Sequence, residues 1–229
     1  MARIPCTPFL LRSVVFALGF IVVVFIAFQL PELKMDHKLK TMSKYISSLA
    51  ATPEPATNKC GLLKPCPFGH LAFKMTSGAA NVIGPRICLD DKLLMSTVMN
   101  NVGRGINIAL IDGRTGGTIR RKHFDMFSGD VAHLIEFLKK IEDGTVVMMA
   151  SFDEPSVKLN DEARKLIADM GSSYIHELGP RDSWVFVGAK SLKDKSPFEQ
   201  HLKNDPVNNK FDGWPEVVGM EGCLPQRED

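Results

Sequence analysis

The chain has 229 residues, 28 Lys and Arg against 26 Asp and Glu, and a formal net charge of +2. Arg3 and Arg12 fall within the first 26 residues, so the remainder carries 26 of each sign. That balance excludes a global field drawing the mature chain to nucleic acid or anionic lipid.

Residues 1–12 are basic and free of acid, and "SVVFALGFIVVVFIAFQL" then runs from Ser13 to Leu30 without a charge. A basic segment followed by an apolar one is the pattern of a secretory signal, predicted over residues 1–26 and removed on export. The run also approaches the roughly 17 to 25 residues of a membrane span. A retained anchor is therefore the competing reading. Residues 27–57 end in Ala, Thr and Pro and read as a flexible linker. No N-x-S/T site occurs anywhere in the chain, which argues against N-glycosylation.

A globular domain is predicted over 58–225, followed by a tail at 226–229; its length suits one core. Cys6 lies in the signal, leaving Cys60, Cys66, Cys88 and Cys223. Their spacing lacks the C-x-x-C of a zinc or redox site. An even set beyond an export signal reads as structural disulfides, and three connectivities remain open.

Strands are predicted at "LAFKMTS" and "RICL", and "GINIALIDGRTGGTIRRKHFDMF" reads as a hairpin reversing between Asp112 and Gly117. Its return strand, with Arg120, Arg121 and Lys122, belongs at an exposed edge. "DVAHLIEFLKKIEDG" is a helix capped by Asp130, burying Val131, Leu134, Ile135, Leu138 and Ile141 and stopped by Gly144. "NDEARKLIADMG" repeats the design from Asn160, with Ala163, Leu166, Ile167 and Met170 buried and Gly171 as the stop. "TVVMMASF" and "SWVFVGA" are continuous apolar runs, as expected of central strands covered on both faces. The mixture predicts an α+β fold.

Catalytic constellations are not found. His133 and Glu136 share a helix face with Lys140 and read as solvated, and the other histidines lack zinc-binding spacing. "NVGRGIN" lacks the third glycine of a dinucleotide fingerprint and leads into a strand, so its glycines read as turn residues. No serine sits in a nucleophile elbow. Asp90-Asp91 and Asp153-Glu154 are acid pairs without identifiable partners for an ion. An anchored glycosyltransferase would need an Asp-x-Asp element, which is missing. No catalytic residue, metal or cofactor is expected.

"NKCGLLKPCP", "SGAANVIGPRICLDD", "NNVGRGINIAL", "FDMFSGDV", "LNDEARKLIADMGS", "RDSWVFVGAKS", "SPFEQHLKN" and "GWPEVVGMEGCLP" follow one another along residues 59–225. Together they resemble the family of interleukin-like EMT inducer and pancreatic-derived factor, small secreted cytokine-like proteins. "LLKPCP" and "GSSY" point to its member D branch. The resemblance implies two twisted antiparallel sheets with a few short helices, a β-β-α arrangement similar to the GG-type lectin domain. It implies pairing of Cys60 with Cys88 and of Cys66 with Cys223. It also implies a non-enzymatic signalling role at an unidentified cell-surface receptor, with a glycan as the alternative ligand. Gly116 and Gly117 form a double glycine, and Trp214 is the tryptophan placed to meet a ligand, Trp184 being assigned to the core. Val187 stands where the interleukin-like member carries a dimer-forming cysteine, so a monomer is expected.

Overall fold

A computed structural model describes residues 18–25 and 58–227. The chain divides into two units, Met1–Ala56 and Thr57–Asp229. Within the first, only the helical stretch 18–25, here α1, is described, so the signal and linker readings otherwise lie outside the described residues. Among the described residues no helix is long and apolar enough to cross a membrane.

Among its described residues the second unit holds nine strands: β1 (His70–Thr76), β2 (Arg86–Leu89), β3 (Lys92–Met95), β4 (Gly105–Asp112), β5 (Thr118–Phe124), β6 (Thr145–Phe152), β7 (Ser183–Ala189), β8 (Glu199–Leu202) and β9 (Gly219–Pro225). Two helices, α2 (Val131–Lys139) and α3 (Asp161–Ala168), interrupt them. One sheet has the order β3-β2-β1-β9 and the other β5-β4-β6-β7-β8, with antiparallel neighbours throughout. The fold is α+β, two sheets and short helices, with two disulfides that tie the segment before β1 to the four-stranded sheet.

Alternation along β4 builds the three layers. Ile106, Ile108 and Leu110 face a core shared with Leu134, Phe137 and Leu138 of α2 and Ala163 and Ile167 of α3. Ala109 and Ile111 face the other sheet, against Phe73, Met75 and Ile87. Strands β6 and β7 divide likewise: Val147, Met149, Trp184 and Phe186 serve the helical side, and Met148, Ala150, Val185 and Val187 the sheet side. Side chains on a strand point alternately to opposite faces, so an unbroken apolar run is what a middle layer requires.

Both helix caps form as read: Asp130 Oδ1 accepts from Ala132 N at 2.8 Å, and Asn160 Oδ1 from Ala163 N at 2.9 Å. Helix α2 ends at Lys139, short of Gly144, and buries Phe137, which the sequence stripe omitted. Glu136 pairs with Lys140 at 2.5 Å on the solvated face beside exposed His133.

Sulfur–sulfur bonds join Cys60 to Cys88 and Cys66 to Cys223, closing 28 and 157 residues. The second ties the segment before β1 to β9, which pairs with β1 over seven residues from His70 opposite Pro225 to Thr76 opposite Gly219.

Candidate functional site

The loop preceding β4 is fixed from beneath by Asn107, a fully buried side chain whose Nδ2 donates to Gly103 O at 2.8 Å and whose Oδ1 accepts from Gly103 N at 2.9 Å. That clamp presents Arg104 at the strand's start. Its guanidinium makes a two-point contact with Asp125, Nε to Oδ1 at 3.1 Å and Nη2 to Oδ2 at 2.8 Å, and donates to Ser128 Oγ at 2.9 Å. The same group lies 4.7 Å above the Phe127 ring. Arg104 first, then the hydroxyl of Ser128 and the amides of Phe127 and Ser128, holds Asp125 far below the usual carboxylate range.

Gly105 pairs with Phe152, so the next residue of that chain, Asp153, comes up beside Arg104. Asp153 has φ 59°, a left-handed conformation that a non-glycine residue holds only when its surroundings impose it. Its carboxylate is half-buried and accepts no hydrogen bond among the described residues. Burial holds its pKa above the ordinary value, only partly offset by Arg104, while Glu154 adds to the rise and Arg181 opposes it. Glu154 turns inward instead. Its Oε1 accepts from Ser156 N at 2.8 Å and Val157 N at 3.1 Å, and its Oε2 from Arg181 N at 3.0 Å.

Arg181, also left-handed at φ 64°, is thereby held at the same end of the sheet. Its guanidinium lies 4.6 Å over Trp214, with Nη1 3.4 Å from Gly213 O. Asp182 and His201 anchor the surrounding turns through a buried pair, Oδ2 to Nε2 at 2.7 Å, and Asp182 also accepts from Gly179 N and Asn204 N. Burial would raise the Asp182 pKa; the bonds from His201, Asn204 and Gly179 outweigh it and lower it. The charged form therefore stabilises the fold above the usual aspartate range, near pH 4, and this contribution is lost as the pH falls through the lower folded value. Urea titrations from about pH 6 down to pH 2 should show acid destabilisation that Asp182→Asn flattens. An unchanged pH slope in that variant would remove Asp182 from the acid response.

A carboxylate without a hydrogen bond among the described residues thus lies in the field of two guanidinium groups, one of which covers an indole, at the end of the sheet where β4 and β7 begin and β6 ends. Such a set can accept hydrogen bonds from hydroxyls, donate to oxygen acceptors and stack an apolar face. Of the ligand-binding candidates read from the sequence, Trp214 belongs here, as does Asp153 of the acid pair. Gly116 and Gly117 lie at the other end of β4, in the turn after Asp112, where Gly116 N donates to Asp112 O at 2.9 Å. Gly116 is left-handed at φ 69° and packs on Leu71, while Thr115 beside it lines a 620 Å³ cleft with Cys66, Phe68 and His70. The double glycine and Trp214 are therefore not parts of one site. Sequence reasoning passed over Arg104 and Arg181, which have no motif spacing, and noted Asp153 only as half of an acid pair with Glu154. Val187 sits on β7 in the wall of a 470 Å³ apolar groove with Phe198 and Leu224.

The family model for interleukin-like EMT inducer matches residues 104–192, a stretch containing Arg104, Asp153 and Arg181. The chain is 55% identical to protein FAM3C of Homo sapiens over 220 residues, 95% of this chain and 97% of that protein. It is 57% identical to FAM3C of Danio rerio over 209 residues, 91% of this chain and 92% of the relative. Protein FAM3D of Homo sapiens is 55% identical over 197 residues, 84% of this chain and 88% of that protein. The leaning of "LLKPCP" and "GSSY" toward member D is corrected by these figures, since human FAM3C matches at the same identity over more of the chain. Two short motifs weigh less than the full alignment. The chain belongs to the interleukin-like EMT inducer family.

Proposed function

We propose that this protein is a secreted, cytokine-like or hormone-like signalling protein that acts without catalysis, as a monomer, on a cell-surface receptor in metabolic or epithelial regulation. The observation carrying the reading is the match to interleukin-like relatives across 95% of the chain. The stapled domain supports it, because disulfides persist in oxidising compartments. A rigid ligand also loses little conformational freedom on binding. Val187 supplies no thiol for a covalent dimer.

A second reading, carbohydrate recognition, is favoured by the Asp153 carboxylate left without a donor in the field of Arg104 and Arg181, the latter covering Trp214. The carboxylate would accept from vicinal hydroxyls and the guanidinium groups would donate to sugar oxygens. One experiment separates the two. The full chain with a C-terminal tag is expressed in secretory cells, and the released protein is crosslinked to cells before and after glycosidase treatment. Asp153→Asn is run in parallel, since asparagine tolerates the left-handed backbone. Release followed by glycosidase-resistant capture of a protein, unaffected by Asp153→Asn, is expected for a receptor ligand. Capture lost in both arms transfers the function to the sugar reading. Full retention in membranes refutes secretion.

A further inference from the structure

Strand β5 is the outer strand of the five-stranded sheet, and six of its seven residues, Thr118 to His123, are exposed. Residues 113–124, "GRTGGTIRRKHF", contain four Arg and Lys and no Asp or Glu, in a chain whose two signs otherwise nearly cancel. Arg120, Arg121 and Lys122 are consecutive, and none forms an ion pair among the described residues. Elsewhere Lys74, Lys139, Lys165, Lys203 and Lys210 each hold a carboxylate within 3.0 Å. Three consecutive cations without an ion pair among the described residues thus lie on this edge.

Their bases are fixed. Arg121 Nη1 donates to Leu94 O at 3.1 Å, Lys122 Nζ lies 5.0 Å over Phe124, and the pKa of Glu136 on α2 is lowered first by Lys140 and, through space, by Lys122 as well. Arg120 opens into a 270 Å³ groove with Ile119, Lys140 and Glu142. Arg120 and Lys122 share a face about 6.6 Å apart, and Arg121 flanks the same edge from the other face. One or two charges would suffice to keep the edge from pairing with another strand. Three in succession, two of them arginines with a fork that matches oxyanions bidentately, go further.

We propose that β5 is a docking surface for a sulfated glycosaminoglycan chain. Cations presented from both faces of one exposed edge complement a linear polyanion that runs along it, and the choice of a sulfated polysaccharide rests on the extracellular reading above. This surface is distinct from the Asp153 site, where a carboxylate would repel sulfate.

The test uses the purified full chain on immobilised heparin, so its outcome does not depend on whether cells export the protein. Retention is expected at about 0.15 M salt, where charges more than roughly 8 Å apart are screened. The variant R120S/R121S/K122S should flow through and bind heparin in solution at least tenfold more weakly. The charge-matched variant K165S/K203S/K210S should be retained like the parent. Because β5 is exposed these substitutions leave the core alone; the single variants R120S and R121S, each several-fold weaker, serve if the triple variant does not fold. Three results overturn the proposal: no retention of the parent, equal loss in both triple variants, or binding to phosphatidylserine vesicles with none to heparin.

Discussion

Replacing Cys223 by Ser is expected to lower the yield of released protein sharply, leave Cys66 as a reactive thiol, and spare the Cys60–Cys88 bridge. The bond removed closes 157 residues, nearly the whole second unit. Chain-entropy reasoning assigns a loop of that length about 5 kcal/mol, against about 3.5 kcal/mol for the 28-residue loop of the other bridge. Native strain and residual structure in the unfolded chain reduce such figures. Even half of the larger one is a substantial part of the ~5 to 15 kcal/mol of a typical domain. Strand β9 keeps its seven-residue ladder to β1 without the bond, so the variant should retain its fold at low temperature and fail on warming. Thermal unfolding of the purified variant and thiol labelling of Cys66 measure both effects. An unchanged midpoint would mean that the ladder, with Leu224 buried behind it, holds β9 alone.

Those parts of the fold that obey a local period were legible in the sequence. Strands β6 and β7 announce themselves by continuous apolar runs because both faces are covered, and α3 by a cap, a stripe and a stop within twelve residues. Strands β3, β8 and β9 went unmarked for equally physical reasons. Lys92–Met95 and Glu199–Leu202 are four-residue edge strands, and the edge strand β9 has only Met220 and Leu224 as large apolar residues on its inner face, with Gly219 before them, Gly222 between them and Glu221 paired with Lys74. The candidate site was nearly invisible. Its members stand far apart in sequence and meet only because Gly105 faces Phe152 and Glu154 reaches the amide of Arg181. Asp153 and Glu154 look alike as neighbouring acids, yet one is buried among four donors and the other has none. The double glycine was visible in the sequence, and its place in the turn after Asp112 is explained by backbone alone, since a left-handed turn position favours glycine whether or not it binds anything.

The glycine that matters most to the site is Gly105, and Gly105→Ala should be the more damaging of two chemically identical changes. Its φ of 103° lies where L-residues are strained, and an added Cβ would fall 1.9 Å from Phe124 O and 2.6 Å from Met126 N. Both obstacles are backbone, so neither can rotate away. The methyl group must either push β5 off the start of β4 or twist Arg104 out of its loop. Strain and forced separation together should cost about 3 to 5 kcal/mol. For a domain of this size that lowers the thermal midpoint by about 10 °C. Asp125 lies between the two residues struck, so its two-point contact with Arg104 should break and its carboxyl should titrate nearer the ordinary range. Gly117→Ala is the comparison. That Cβ would meet only the Thr115 hydroxyl at 3.0 Å, with no left-handed backbone to maintain, and stability should change by less than about 1 kcal/mol. Differential scanning calorimetry of the two variants, with carbon-13 NMR titration of Asp125, reads both effects. Equal stability of the pair would show that the β4–β5 junction yields, and that Arg104 is positioned by Asn107 and Asp125 without the glycine.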